Sequence, residues 1–321
     1  MAFAFLFPGQ GSQGLDMMAG LETLPVVKDT FDQASEVLEQ DLWAMLQAQQ
    51  AIDATINTQP LMLAAGVATW RAWLAVGGAK PAVLAGHSLG EYSALVAAEV
   101  LSFEDALRLV RVRALAMQAA VPAGEGAMAA VLGLSDERVC ALCIEAQQGQ
   151  IVAAANFNAP GQVVIAGVRA AVERALEACK RAGARHTLLL PVSVPAHCEL
   201  MKSIAPHFAD ALAKIEIRAP AIKVLHNADV AAYGDASKIR DALVRQLYSP
   251  VRWTETITAL AAGGLTHMAE CGPGKVLTGL IRRINTSEHS SPQLSSSGYA
   301  PIKCWALTDT AALDAARAAF I

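Results

Sequence analysis

The sequence predicts an α/β protein in which a larger domain built on a parallel sheet is interrupted by a small βαββαβ unit. Three observations predict it. Short apolar strands alternate with helical stretches along most of the 321 residues, the pattern of parallel strands joined by crossover helices. The strand Ala82-Val83-Leu84-Ala85 runs into Gly86-His87-Ser88-Leu89-Gly90 and then a helical pattern, the strand–turn–helix context of a nucleophile elbow. From about Gly126 to Val194 the order becomes β-α-β-β-α-β, a ferredoxin-like arrangement. The expected fold is therefore an α/β-hydrolase-like catalytic domain, residues 1–125 and 195–321, with a ferredoxin-like subdomain inserted at 126–194.

Each element follows from local pattern. Residues 2–7 are an apolar strand stopped by Pro8 and Gly9, and mostly helical segments follow to about residue 77. Among them Thr58 is expected to cap a helix with Pro60 near its start. A helix is expected over Glu91–Val100. Ser102 with Asp105 three residues on is a capping-box-like start for another, reaching about Ala120. In the inserted unit the strands are Ala127–Leu134, Ile151–Asn156, Gln162–Ala166 and His186–Val194, and the helices Asp136–Gln148 and Ala170–Ala182. The larger domain resumes with a helix, the strand Ile222–Asn227, another helix and the strand Thr266–Glu270, which meets the turn Gly272-Pro273-Gly274. The polar stretch Thr286–Gly298 reads as a loop before a last strand and helix.

Composition excludes several function classes. Hydrophobic residues make up 54% and charged residues 17%, with a net charge of −4. With a mean hydropathy of +0.36, this describes a chain with a large core. It does not describe a nucleic-acid binder or an acidic disordered chain. The apolar N-terminus lacks a basic n-region and reads as a buried strand, and no uncharged run is long enough to span a bilayer. A soluble, cytoplasmic protein with no membrane or nucleic-acid partner is expected. Of six cysteines only Cys140 and Cys143 form C-x-x-C, in the middle of a helix and without a second pair, so no metal site is expected.

The elbow carries the chemistry. Its glycines allow a tight turn, and Ser88 sits at a helix N-terminus where free N–H groups favour developing negative charge. A serine nucleophile needs a base. Of the seven histidines, His197 lies at a strand-to-helix exit, with His226 and His267 the next candidates. Gly9-Gln10-Gly11-Ser12-Gln13-Gly14 fits G-x-G-x-x-G, yet the acidic residues downstream, Asp29 and Asp32, lie within a helical stretch and not at a strand end. The better use of that turn is to aim N–H groups at an oxyanion.

Phe7-Pro8-Gly9-Gln10-Gly11-Ser12-Gln13, Gly86–Gly90 continuing into Glu91-Tyr92-Ser93-Ala94, and Arg113 with Met117 together resemble the malonyl-CoA:acyl carrier protein transacylases. So do Asn156-Phe157-Asn158 with Pro160-Gly161-Gln162, Val192–His197, Gln246-Leu247-Tyr248 with Pro250-Val251, and Gly272-Pro273-Gly274-Lys275. These motifs come in order over residues 3–284; the loop at 286–298 and the C-terminal tail match less well.

The resemblance implies that Ser88 is the nucleophile and His197 the base, oriented by the backbone carbonyl of Gln246 in place of an acidic side chain. It also implies that the N–H groups of Gln10 and Leu89 form the oxyanion hole, and that Arg113 grips the malonyl carboxylate with Met117 nearby. Helical spacing supports Arg113 over Arg108 and Arg111, since Leu109, Val110 and Met117 surround it. The implied substrates are malonyl-CoA and holo acyl carrier protein, with no cofactor, a monomer, and fatty acid biosynthesis as the pathway. A basic patch for the acidic carrier is sought at Arg282 and Arg283 or at Lys180, Arg181 and Arg185. A serine hydrolase and a non-catalytic carrier-binding module are the rival readings.

Overall fold

The computed structural model describes residues 1–48, 52–192, 194–286 and 301–320. The central strand β1 (Ala4–Phe7) shows why the core forms as it does. Phe3, Phe5 and Phe7 alternate with Ala4 and Leu6, so the aromatics point to one side of the sheet and the small and aliphatic residues to the other. Both sides are covered, and β1 is buried throughout, as expected of a strand inside a parallel sheet.

The parallel sheet has the order β7-β2-β1-β8-β9, with β2 at Val83–Gly86, β7 at Lys223–Leu225, β8 at His267–Glu270 and β9 at Lys303–Ala306. Every pairing is parallel, and Phe7 is in register with Gly86 and Leu6 with Glu270. The carboxyl ends of β7, β2, β1 and β8 therefore share one edge, which is where open α/β sheets place their sites.

On the aromatic side lie α1 (Pro25–Leu38), α2 (Leu42–Gln47), α3 (Thr55–Ala75), α4 (Gly90–Ala97) and α5 (Phe103–Ala119), then α8 (Ala205–Ala213), α9 (Ala236–Gln246) and α12 (Thr310–Ala319). Phe5 packs edge-on against Trp73 of α3 at 5.2 Å between ring centres, and Phe3 stacks on Phe320 at 4.2 Å. The other side is closed by α10 (Trp253–Ala262) and α11 (Val276–Thr286), through Trp253, Ile257, Leu277 and Ile281. Glu270, at the end of β8, is fully buried. It accepts from the N–H groups of Leu277 and Thr278 at 3.0 and 2.8 Å, which anchors the start of α11.

The second sheet is antiparallel, with the order β4-β5-β3-β6. Its strands are β3 (Gly126–Leu132), β4 (Val152–Ala159), β5 (Gln162–Val168) and β6 (His186–Leu189). Helices α6 (Asp136–Gln147) and α7 (Arg169–Arg181) pack on one face through Val139, Leu142, Val172 and Leu176. The opposite face, with Met128 and Val164, turns to the parallel-sheet half and contacts Cys198. A bridge ties the two, Phe157 N–H to Val251 O at 2.9 Å and Val251 N–H to Ala155 O at 2.8 Å.

Three sequence expectations need correction. Thr58 is not a cap: α3 begins at Thr55, and the Thr58 hydroxyl donates backward to Ile52 O at 2.5 Å and Ala54 O at 3.0 Å, leaving Pro60 inside the helix. Helix α4 stops at Ala97 and not Val100, because Glu99 takes a left-handed conformation at φ 64°. The last strand of the small sheet ends at Leu189, with Pro191, which has no N–H to pair, two residues beyond. The expected loop at 286–298 begins with the last residue of α11 and otherwise lies outside the described residues.

Candidate active site

The elbow between β2 and α4 has the tightness its glycines imply. Ser88 has φ 52°, a left-handed conformation rare for a residue with a side chain and common at strained functional turns. A Cβ on Gly86 would lie 2.0 Å from the carbonyl carbon of Gly90, and one on Gly90 would lie 2.0 Å from the Phe7 carbonyl oxygen. Neither position can hold alanine without moving backbone. Asn227, just past β7, accepts from the Ser88 N–H at 2.7 Å and so pins the turn.

Ser88 Oγ lies 2.7 Å from His197 Nε2, and His197 Nδ1 lies 2.9 Å from the backbone carbonyl of Gln246. A carbonyl only accepts, so Nδ1 carries the proton and Nε2 presents its lone pair to the serine hydroxyl. His197 is buried. Burial, and then the nearby Arg113 charge, pull its pKa down to about 3, which keeps the ring neutral at physiological pH with the Nε2 lone pair free. The other candidates do different work. His226 bonds Glu91 at 2.7 Å, while His267 stacks on Trp305 at the edge of the parallel sheet. His87 turns to Asn158 Oδ1 at 2.8 Å and packs against Trp253.

Arg113, on α5, is 1% exposed and has no carboxylate partner among the described residues. It donates to Gln59 Oε1 at 2.9 Å and Gln246 Oε1 at 3.1 Å, approaches Ser88 Oγ at 3.5 Å, and leaves Nε without a partner. Its guanidinium also lies over the Tyr92 ring, 5.5 Å from the centroid, and a buried cation with no carboxylate bonded to it offers a seat for an anion. Its helical neighbours do otherwise: Arg111 bonds Gln40, and Arg108 pairs with Asp105 at the surface. Met117, one turn after Arg113, is buried with its sulfur 3.6 Å from Gln59 Nε2.

The turn after β1 lies against the elbow, since a Cβ on Gly9 would fall 2.4 Å from His87 O and 3.6 Å from Leu89 N. The backbone N–H groups of Gln10 and Leu89 have no hydrogen-bond partner among the described residues, and both residues line the same cleft. Residues 10–24 form turns and α1 opens only at Pro25, so the G-x-G-x-x-G run does not open a helix. The cleft, about 280 Å³, lies between the two sheets and also takes in Ser88, Arg113, Met128 and His197. Among the described residues no cluster of His, Cys, Asp or Glu could hold a metal. Cys143 is buried in the small sheet's core, and burial pushes its thiol up to about 12.

Sequence reasoning missed the polar network behind these residues. Glu91, Asn227 and the side chain of Gln246 interlock beneath Ser88. The one available signal was Glu91 itself, an acidic residue in an otherwise apolar helix.

Residues 4–298 match the acyl transferase domain family. The malonyl CoA-acyl carrier protein transacylase of Salmonella typhimurium is 55% identical over 285 residues, covering 88% of this chain and 92% of the relative. The chain belongs to the malonyl-CoA:acyl carrier protein transacylase family. It is an acyltransferase. The transacylase of Coxiella burnetii superposes with a TM-score of 0.93 at 45% identity, covering 99% of this chain and 97% of the other. A malonyl-transacylase solved in complex with a type II PKS acyl-carrier protein superposes at 0.92 with 49% identity, covering 99% and 100%. The expected mixed fold, a parallel sheet with a second antiparallel one, is the fold of this transacylase family.

Proposed function

We propose that this transacylase moves the malonyl group from malonyl-CoA to the phosphopantetheine thiol of holo acyl carrier protein, through a malonyl ester on Ser88, as the extender-unit step of fatty acid biosynthesis. His197 Nε2 takes the Ser88 proton as Oγ attacks the thioester carbon. The resulting oxyanion is held by the N–H groups of Gln10 and Leu89. Collapse breaks the C–S bond, and the His197 proton leaves with the coenzyme A thiol. The carrier thiol then gives its proton to His197 and attacks the ester carbon; as the C–O bond to Ser88 breaks, His197 returns that proton to Ser88 Oγ. Throughout, Arg113 holds the malonyl carboxylate, and the Gln246 carbonyl keeps the imidazole in one tautomer.

The observation that carries this reading is a serine–histidine pair beside a buried arginine that lacks a carboxylate partner among the described residues. The curated relatives' names and the carrier-bound malonyl-transacylase agree with it. Residues 126–194 are proposed as the inserted subdomain and the remainder as the catalytic domain. We place the activity in the cytoplasm, in a monomer that uses no cofactor. Among the described residues no helix is long and apolar enough to cross a membrane. Initial rates at several fixed carrier concentrations test the two-step order. Parallel double-reciprocal lines are expected, and intersecting lines would rule out a free acyl-enzyme.

A further inference from the structure

Glu91 lies on α4, three residues after Ser88, and is 0% exposed. Its Oε1 accepts from His226 Nδ1 at 2.7 Å; its Oε2 accepts from Asn227 N–H at 3.0 Å and Gln246 Nε2 at 2.9 Å. His226 and Asn227 come from the carboxyl end of β7, the neighbour of β2, so the sheet order brings the network under the elbow. None of Glu91's three partners lines the cleft, yet Asn227 and Gln246 each bond residues that do, Asn227 the Ser88 N–H and Gln246 both Arg113 and His197.

Gln246 is the hub. Its backbone carbonyl orients His197, its Oε1 holds Arg113, and its Nε2 donates to Ser88 O at 3.0 Å as well as to Glu91. A side-chain amide has one accepting and one donating end, and its orientation is set by its partners. A carboxylate only accepts. Glu91 therefore compels Gln246 to turn Nε2 inward, which leaves Oε1 facing the guanidinium. The opposite orientation would set an amide N–H₂ against Arg113 and an oxygen against a carboxylate, two repulsive contacts in a buried site. The negative charge also compensates the buried Arg113 cation without occupying its carboxylate seat, and this charge opposes the lowering of Arg113 by burial.

We propose that Glu91 is a positioning residue that fixes the amide of Gln246 and thereby aims Arg113 at the acyl carboxylate, so that preference for malonyl over uncharged acyl groups depends on Glu91. The inference rests on the malonyl-transfer reading. His226 holds the second carboxylate oxygen and keeps Glu91 in place.

The test is single-turnover acylation of the full chain by malonyl-CoA and by acetyl-CoA, in the wild type, Glu91→Gln, Gln246→Met and the double variant. A wild type that forms no malonyl adduct would remove the underlying function, whatever the variants do. Given that adduct, Glu91→Gln is expected to slow malonyl acylation about 10- to 100-fold, the scale of a lost hydrogen bond to a charged group, and acetyl acylation by much less. In the Gln246→Met background, which has no amide to orient, Glu91→Gln should leave the malonyl-to-acetyl ratio unchanged. Equal slowing of both acyl groups, or a further fall in the ratio without the amide, overturns the proposal. If Glu91→Gln does not fold, His226→Leu is read the same way. His226→Asn, whose amide can still donate to Glu91, should then restore the ratio, and failure to restore it also contradicts the assignment.

Discussion

Arg113 Nη2 lies 3.5 Å from Ser88 Oγ, so a fixed positive charge stands directly beside the hydroxyl that would carry the acyl group. The distance leaves room for a short acyl chain to fold back from the serine and meet the guanidinium. The charge also adds to burial, the larger cause, in keeping His197 unprotonated, since a second cation in the same buried volume is unfavourable.

Removing that charge should separate substrates. Arg113→Ala is expected to lower kcat/KM for malonyl-CoA by about 10²–10³-fold, the range for losing a buried ion-paired contact. Acetyl-CoA, which has no carboxylate, should lose far less. Parallel assays with the two thioesters check this, and equal losses would mean that Arg113 supports the fold and not the acyl group.

The pH dependence follows from the depressed His197 pKa of about 3. In the proposed mechanism His197 acts as the base only when neutral, and a lowered pKa keeps it neutral to lower pH than an ordinary imidazole near 6.5. The acid limb of kcat/KM for malonyl-CoA, which reports the free enzyme, should therefore fall below about pH 5. A midpoint near 6.5 would show an imidazole in contact with water.

Stability should respond to Asp136 at the start of α6. Burial, and then Glu137 and Glu255, raise its pKa to about 6 from the usual 3.8. The folded state thus binds this proton more tightly than the unfolded state. Stability is fullest below the unfolded pKa and declines as pH rises from about 4 to 6. Asp136→Asn removes the penalty, so its melting midpoint should exceed the wild type's by about 2–4 °C at about pH 7.5 and show little difference at about pH 4. Thermal melts at the two pH values decide it; a gain confined to the acidic condition would reverse the sign.

Carrier docking is expected to use α11, whose first residues Val276 and Leu277 reach the cleft and whose last turns carry the exposed Arg282 and Arg283. Charge reversal at both arginines should raise KM for holo carrier several-fold and leave malonyl-CoA kinetics unchanged. An unchanged carrier KM would move the docking surface elsewhere, with Lys180, Arg181 and Arg185 the next positions to reverse.

Much of this was legible from residue order, and the reasons are physical. The alternation Phe3-Ala4-Phe5-Leu6-Phe7 required a strand buried on both faces. Gly86-His87-Ser88-Leu89-Gly90 required a turn with no space for side chains at its ends, and the backbone that crowds both glycines leaves none. Arg113 came from the family resemblance, and helical spacing supported it over Arg108 and Arg111 as the arginine that faces inward. Gln246 was different. Its bond to His197 uses a backbone carbonyl that any residue type could supply, so only the family resemblance pointed to it. The Glu91–His226 contact joins residues 135 positions apart and depends on β7 lying beside β2, an order that local pattern does not encode. Thr58 misled because a threonine hydroxyl can bond a carbonyl one turn back as readily as it caps a helix.

Transfer through a malonyl ester on Ser88 is tested by intact-mass spectrometry of the protein mixed with malonyl-CoA, beside a Ser88→Ala variant, followed by addition of holo acyl carrier protein. A malonyl adduct that requires Ser88 and moves to the carrier is expected. An adduct that decays to free malonate whether or not carrier is added would make the enzyme a hydrolase, and an adduct that persists in Ser88→Ala would place the nucleophile elsewhere.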